Sequence, residues 1–367
     1  MTIWWKFGWA FISQSKKFLD PSENSKSVIY HLVSTRIWNL TKLCCLFIGL
    51  HELLLMEYSV CEVLFQYQLS RTDVKELYST YTACSVINAF SSYTAIMLNS
   101  VTIYAMSKSP LMPKPLKILL LSLAVSDLGV GLLVQPFAIE LLVKWTQRNN
   151  PSCTTYASFT IILTLFSYAS FFSVMVISAD RFLAIHLHLR YQELVTYKRV
   201  VCATISIWIL STFLSLVLLW TPNNISFLIA AVIEVVCLAT TTFFNYKIYL
   251  AVRRHTNQIQ ALQLQLQEEP QNGENAANSA SLRKSALGAF YLYLLFLLCY
   301  LPNICSYIFM TIYGSGTTIR GLFVCTLTLV FVNSSLNPLI YCWKMRHVRN
   351  AIMDILRKIL TLKESCC

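Results

Sequence analysis

The sequence predicts an all-α protein: a bundle of seven transmembrane helices with the N-terminus outside the cell. Three observations lead to this fold class. Of the 367 residues, 56% are hydrophobic and only 13% are charged, whereas a soluble domain has about 25% charged residues. The apolar residues form blocks long enough to supply the roughly 20 residues that a helix needs to cross a bilayer. Basic residues are concentrated in alternate connections between these blocks.

The apolar blocks lie near residues 81–106, 116–143, 153–187, 198–220, 226–252, 284–312 and 320–343. Most are apolar all round, which is typical of membrane spans and not of amphipathic surface helices. The odd-numbered connections and the tail carry most of the bases, while the even-numbered ones hold only Lys144, Arg148 and Arg320. The positive-inside rule therefore places the base-rich connections and the tail in the cytoplasm. This orientation explains the net charge of +12, so we expect membrane lipid and not nucleic acid as a partner.

The pattern divides the chain into regions. Residues 1–80 are expected to form an extracellular N-terminal segment, within which Met56 is an alternative start. Residues 81–343 form the transmembrane domain. Within it, residues 253–283 are polar and poor in aromatic side chains, which predicts a mobile cytoplasmic loop.

The last segment of the chain is expected to lie on the membrane, and it and one outer connection carry candidate sites of covalent modification. Residues 344–367 begin with bases and apolar side chains at helical spacing, which predicts an amphipathic helix on the inner leaflet followed by a short tail. Cys366 and Cys367 close this segment and are candidates for lipidation. Asn224 begins the tripeptide Asn-Ile-Ser in an outer connection, where it is a glycosylation acceptor.

Polar residues and prolines recur at particular places in the spans. They are Asn99 in MLNSVTIYAM, Asp127 in LSLAVSDLGVGLL, Asp180-Arg181 in SADRFLAI, Trp208, Pro302 in FLLCYLP, and Asn337-Pro338 with Tyr341 in NSSLNPLIYCW. Together they resemble the rhodopsin-like (class A) G-protein-coupled receptors, over roughly residues 81–360. The short second outer connection, a fifth span without its usual Pro, and HLRYQELVTYKRV are most similar to the melanocortin–adenosine–cannabinoid branch. The resemblance implies a multi-pass plasma-membrane receptor that binds an extracellular ligand and activates heterotrimeric G proteins.

The resemblance also implies roles for individual residues. The expected G-protein-coupling residues are Asp180, Arg181 and Tyr341. The expected activation switch consists of Phe296, Tyr300, Pro302, Asn337 and Pro338, with Tyr300 where the family usually has Trp. Many relatives hold the Arg with an acid at the inner end of the sixth span. That position is Leu282 here, so this interhelical pair is missing.

Asp127 is a lone carboxylate among Leu and Val in the second span. A buried carboxylate is protonated, paired, or bound to a cation, and oxygen ligands suit a hard cation. In the family a sodium ion binds beside this Asp, and the positions that surround the ion are here Asn99, Ser170, Asn333 and Asn337. We therefore expect a sodium ion and no other cofactor. The alternative is a neutral, hydrogen-bonded Asp127 that stabilises the bundle.

The candidate ligand-binding residues lie in the outer halves of the spans. Leu163 occupies the third-span position where amine receptors carry an Asp, so a monoamine ligand is not expected. Glu234 is an acid inside the fifth span, which by default indicates a functional site and suits a basic group of the ligand. Its alternative role is a protonated Glu bonded to a neighbouring helix. Further polar candidates at similar depth are Thr164, Ser167, Asn303 and Tyr307.

The sequence also bears on functions other than a receptor. The chain has no HExxH, P-loop or GxSxG motif, so an enzyme is not expected. A membrane transporter and a seven-span scaffold that does not couple are the remaining alternatives.

The outer cysteine Cys153 lies about one turn from the family's usual disulfide position, and Cys61 and Cys84 are its candidate partners.

Overall fold

The computed structural model describes residues 71–108, 113–147, 149, 151–187, 190–219, 221, 223–265, 273–314, 316–344, 349–350 and 353. All of them belong to the unit Glu57–Cys367. The described part is helical and contains no strand, and it includes seven helices long and apolar enough to cross a membrane. The predicted all-α, seven-span fold class is confirmed.

We number these helices as spans 1 to 7. They are Arg71–Lys108, Lys114–Gly129 with its continuation Gln135–Thr146, Cys153–His186, Tyr197–Leu219, Asn223–Gln265, Gly273–Tyr313 and Thr317–Lys344. A short helix, Tyr191–Leu194, connects spans 3 and 4. Span 3 packs against spans 2, 4, 5 and 6, while span 7 packs against spans 1 and 6. Span 3 is therefore the centre of the bundle and shares an interface with four of the other spans.

Span 2 contains a π-helical turn, Val130–Val134, which we did not predict. Gln135 donates its backbone N–H to the carbonyl of Val130, five residues earlier. Pro136 follows directly, and its ring lacks an N–H and clashes with the carbonyl four residues before it in a regular helix. The wider turn accommodates the proline, as π turns inside α-helices commonly do near functional sites.

Several predicted boundaries differ from the structure. Span 1 begins at Arg71, ten residues before the predicted start, because polar residues extend the helix beyond its apolar block. Spans 5 and 6 continue into residues 253–283, which we expected to form a mobile loop; only 266–272 separate the two helices. The helical part of this segment, QIQALQLQ, is rich in Gln and Leu, which have high helix propensity. The polar composition of this segment predicted that it packs in no hydrophobic core, but it did not exclude a helix.

Some predictions fall outside the described residues. These include the N-terminal segment up to residue 70 with Met56, and the cysteines Cys366 and Cys367 at the end of the chain. In the amphipathic segment 344–367, the positions described beyond Lys344 are Arg349, Asn350 and Met353, and all three are helical. The remainder of that helix stays a prediction.

Candidate functional site

A small cavity of about 20 Å³ lies between spans 3, 5, 6 and 7. The structure places all six of the predicted ligand-binding residues on its wall. The complete lining is Leu163, Thr164, Ser167, Tyr168, Ala230, Glu234, Tyr300, Asn303, Tyr307, Leu327 and Val330. The six residues come from three spans, so their convergence results from the packing of the bundle.

Tyr168, Ala230, Leu327 and Val330 line the cavity but were not predicted. The first of these, Tyr168, could have been predicted from helical spacing. Leu163, Thr164 and Ser167 share one face of span 3, and Tyr168 lies one turn beyond Thr164 on that face. The other three are apolar residues in apolar spans, where the sequence does not distinguish cavity lining from ordinary packing.

Three aromatic rings close the inner end of the cavity. The Tyr300 ring lies 4.9 Å from that of Phe296 in a stacked arrangement, and 4.2 Å from that of Phe171 in an edge-on arrangement. All three side chains are buried. Pro302 lies inside span 6, two residues after Tyr300. The predicted switch residues Phe296 and Tyr300 thus join span 6 to span 3 directly below the cavity.

Asp127 lies deeper in the bundle and is fully buried. Asn337 donates from Nδ2 to Asp127 Oδ2 at 2.8 Å, which joins spans 2 and 7. Asp127 Oδ1 has no hydrogen-bond partner in the described part of the chain. Ser170 donates to Ser126, the residue before Asp127, at 3.0 Å. Pro338 follows Asn337 inside span 7.

The residues around Asp127 fit a hard cation. Asn99 donates from Nδ2 to the Ala95 and Ser334 carbonyls, so its oxygen remains available. Among the described residues, the amide oxygens of Asn99, Asn333 and Asn337 are buried without a hydrogen-bond partner, as is Asp127 Oδ1. Buried polar atoms normally have partners. The resemblance sets these residues around Asp127, and carboxylate and amide oxygens are the donors that sodium requires.

Asp180 and Arg181 pair at the inner end of span 3. Arg181 donates from Nε to Asp180 Oδ2 at 3.0 Å, and a second bond from its Nη2 reaches the same oxygen. Both side chains are buried. Tyr191, from the short helix after span 3, donates its hydroxyl to Asp180 Oδ1 at 2.8 Å. Both carboxylate oxygens are therefore engaged in this conformation.

Tyr191 was not predicted as a functional residue, although it lies in HLRYQELVTYKRV. Burial and, next, the neighbouring Asp180 carboxylate raise the pKa of its phenol well above the usual range. The phenol therefore remains protonated and keeps donating at physiological pH. Its position cannot be deduced from sequence alone, because the bond crosses between two separate helices.

Tyr341 lies in span 7 and is fully buried, and its hydroxyl lacks a partner among the described residues. Asn245 of span 5 donates to Ser178 of span 3 at 3.0 Å, and Ser178 lies two and three residues before Asp180 and Arg181. The side chains of Leu282 and Asn224 lie outside the described residues.

Cys153 forms a disulfide, whereas Cys84 is a free thiol. The alternative that pairs these two residues is therefore wrong.

The structure thus contains a cavity, an aromatic floor, a buried oxygen cluster and an Asp–Arg pair in one bundle. A family model described as "7 transmembrane receptor (rhodopsin family)" matches residues 98–341. The adenosine receptor A2b of Gallus gallus is 29% identical over 284 residues, covering 66% of this chain and 78% of the relative. For the adenosine receptor A3 of Ovis aries the identity is 24% over 286 residues, covering 74% and 88%. The histamine H2 receptor of Cavia porcellus is 27% identical over 260 residues, covering 63% and 67%.

Proposed function

Since this chain belongs to the rhodopsin family of seven-transmembrane receptors, we propose that it detects its extracellular ligand in the cavity beside Glu234 and signals through Asp180 and Arg181. The chain is a multi-pass plasma-membrane receptor that couples to G proteins, and it is not an enzyme. The similar proteins are receptors by name, which does not favour the transporter or the scaffold. Adenosine and histamine receptors both appear among them, so the similarity does not select one ligand.

The observation that carries the proposal is a connected route from the cavity to the inner face. Tyr300 borders the cavity and also stacks on Phe296. Both rings contact Phe171 of span 3, and Asp180 and Arg181 lie nine and ten residues further along that helix. Interfaces of packed side chains have discrete arrangements, so a ligand that moves Tyr300 biases the position of span 6 relative to span 3.

We assign the oxygen cluster beside Asp127 to a sodium ion. Asp127, Asn99, Asn333 and Asn337 would hold it through their unpartnered oxygens, and Ser170 would support them through Ser126. The ion would supply a positive charge that compensates a carboxylate buried in the membrane. Asn337 would then have two functions, because it also precedes Pro338 in the part of span 7 that ends at Tyr341.

The direct test is G-protein activation. In membranes that contain the full chain, nucleotide exchange on at least one heterotrimeric G protein is expected to exceed that of membranes without it. Arg181→Ala is expected to abolish this excess at unchanged surface expression. Lys144→Ala, which removes a base that pairs with Glu140 at the opposite end of the bundle, serves as the control and is expected to signal normally. An Arg181→Ala variant that signals like the parent would contradict the proposal.

A further inference from the structure

The cavity contains one acid and no base. Of the described residues that line it, only Glu234 is acidic, and none is Lys, Arg or His. The Glu234 side chain is 5% exposed, and its Oε2 atom has no hydrogen-bond partner among the described residues. A carboxylate is costly in a membrane-embedded cavity unless a positive charge or a proton accompanies it. The protein supplies no cation from the cavity wall.

The Tyr168 hydroxyl is a second polar group that is buried like the Glu234 carboxylate. Its side chain is 2% exposed, and its hydroxyl is buried without a partner in the described part of the chain. Two other polar groups on the wall are already engaged. The Thr164 hydroxyl donates to the Thr160 carbonyl at 2.7 Å, and the Asn303 oxygen accepts from Thr326 at 3.4 Å. Among the described lining residues, Glu234 and Tyr168 carry the fully buried polar atoms that lack a partner and that a ligand would satisfy.

The rest of the wall favours an apolar body. Leu163, Leu327 and Val330 contribute hydrophobic surface from spans 3 and 7. The cavity volume of about 20 Å³ is far below the roughly 300–1,000 Å³ of small-molecule sites, so a ligand fits here only when the surrounding spans move apart. A compact ligand with one charged end matches the polarity of the cavity wall.

We propose that the ligand is a compact organic cation with several N–H donors and an apolar or aromatic body, and that Glu234 of span 5 is its counter-ion. The cation donates one N–H to Glu234, and a second N–H reaches the Tyr168 oxygen. The apolar body packs on Leu163, at the position where amine receptors of the family carry their Asp. The inference rests on the proposed function insofar as this cavity is the receptor's ligand site.

The test compares a cation with its neutral analogue of nearly the same shape. Benzamidine carries a planar charged group that forms paired hydrogen bonds with a carboxylate, whereas benzamide is uncharged. The purified full chain in lipid nanodiscs is titrated with each probe, and binding is measured as the rise in its unfolding temperature. Benzamidine is expected to raise this temperature in a saturable manner, with benzamide at least tenfold weaker. This readout does not require a G protein.

Variants locate the effect at Glu234. Glu234→Gln retains the shape without the charge and is expected to weaken benzamidine binding at least tenfold, with little effect on benzamide. Glu234→Asp retains the charge and is expected to bind benzamidine more tightly than Glu234→Gln, and Tyr168→Phe to weaken it severalfold. Glu140→Gln, an acid on span 2 away from the cavity, is the matched control and is expected to bind like the parent.

Three results would overturn the inference. Equal binding of benzamide and benzamidine would assign Glu234 to a protonated, structural role. Undiminished benzamidine binding by Glu234→Gln would place the cation elsewhere, and no stabilisation by millimolar benzamidine would exclude a cation site here. The two proposals fail separately: benzamidine binding without any G-protein activation rejects the signalling route alone, whereas activation combined with any of these three results rejects the cation alone.

Discussion

At the scale of single residues, two groups of buried polar atoms without partners stand out in the described part of the chain. One is the cavity with Glu234 and Tyr168, and the other is the oxygen cluster beside Asp127. An unsatisfied buried polar group costs about 1–3 kcal/mol. Clusters of such groups are therefore expected to bind something in the functioning protein, and both clusters lie between spans whose relative positions change in a receptor.

The sodium assignment predicts an ion-specific effect on stability and basal activity. An ion that binds one conformation stabilises it in proportion to its differential affinity. Raising sodium is expected to raise the unfolding temperature and lower ligand-independent nucleotide exchange. Asp127→Asn retains the side-chain shape without its charge, so both effects are expected to disappear in that variant.

The matched control replaces sodium with an equal concentration of a bulky organic cation, which preserves ionic screening. If the parent and Asp127→Asn respond alike to that exchange, Asp127 has the structural, hydrogen-bonded role that we considered as the alternative.

The hydrogen bond from Tyr191 to Asp180 is expected to stabilise the resting state of the receptor measurably. Tyr191→Phe removes the hydroxyl that bonds Asp180, a loss of about 1 kcal/mol, and is expected to raise basal nucleotide exchange severalfold. Tyr197→Phe, at an exposed tyrosine six residues later, is the control. Unchanged basal exchange in Tyr191→Phe would show that the bond does not stabilise the paired Asp180–Arg181 state.

This contribution has a defined pH dependence. The Tyr191 pKa is raised above its ordinary value of about 10. Its stabilising effect is therefore complete below that value and is lost only as the pH rises through the raised pKa. Between about pH 6 and 9, the difference in basal exchange between the parent and Tyr191→Phe is expected to stay constant.

At the scale of elements, the π turn and a nearby glycine determine how span 2 meets its neighbours. A Cβ atom at Gly129 would overlap the ring of Phe166, which packs edge-on against Trp208 at 6.1 Å. Trp208 in turn donates to Ser122 of span 2 at 3.1 Å. Gly129 thus permits the close contact of spans 2, 3 and 4.

Gly129→Ala is expected to lower the free energy of unfolding by about 1–3 kcal/mol, since the Phe166 ring must move in a packed interface. The decrease in unfolding temperature measures this effect. Gly316→Ala, where no atom lies within 4 Å of the added Cβ, is the control. Equal unfolding temperatures for Gly129→Ala and the parent would mean that the Phe166 ring is free to rotate away.

Helix lengths and helix contacts differ in how well the sequence predicts them. The apolar blocks located the spans because hydrocarbon excludes polar side chains and unpaired backbone groups. The family resemblance, the intramembrane acid and the polar side chains at similar depth indicated six of the residues that line the cavity. The Tyr191–Asp180 bond and the Phe171–Tyr300 contact depend on how separate helices pack, and no local pattern encodes that packing.

At the scale of the whole molecule, several polar contacts join spans 1 and 7. Ser91 and Ser335 share a hydrogen bond of 3.1 Å, and Asn88 donates to Thr328 at 3.1 Å. Towards one end of this interface, the Sγ atoms of Cys84 and Cys325 are 3.9 Å apart. The distance between these two thiols can therefore be used to test how spans 1 and 7 pack.

Mild oxidation with copper phenanthroline is expected to join Cys84 and Cys325 in a disulfide, because only a small movement separates the two sulfur atoms from bonding distance. Mass spectrometry of the unreduced, digested protein detects the linked peptides. The product is expected to disappear in Cys84→Ser but to persist in Cys305→Ser, which removes an exposed thiol of span 6. Failure to link the parent would contradict this packing of spans 1 and 7.

The extra residue in the π turn also affects how this receptor can be compared with others. Each residue rotates an α-helix by about 100°, so one inserted residue changes which side chains beyond Val134 face the bundle. Gln135, Ala138 and Leu141 are buried in this arrangement. An alignment with a relative whose span 2 is a regular helix requires a one-residue gap between Asp127 and Gln135. Without that gap, each position assigned by homology in the outer half of span 2 would be displaced by one.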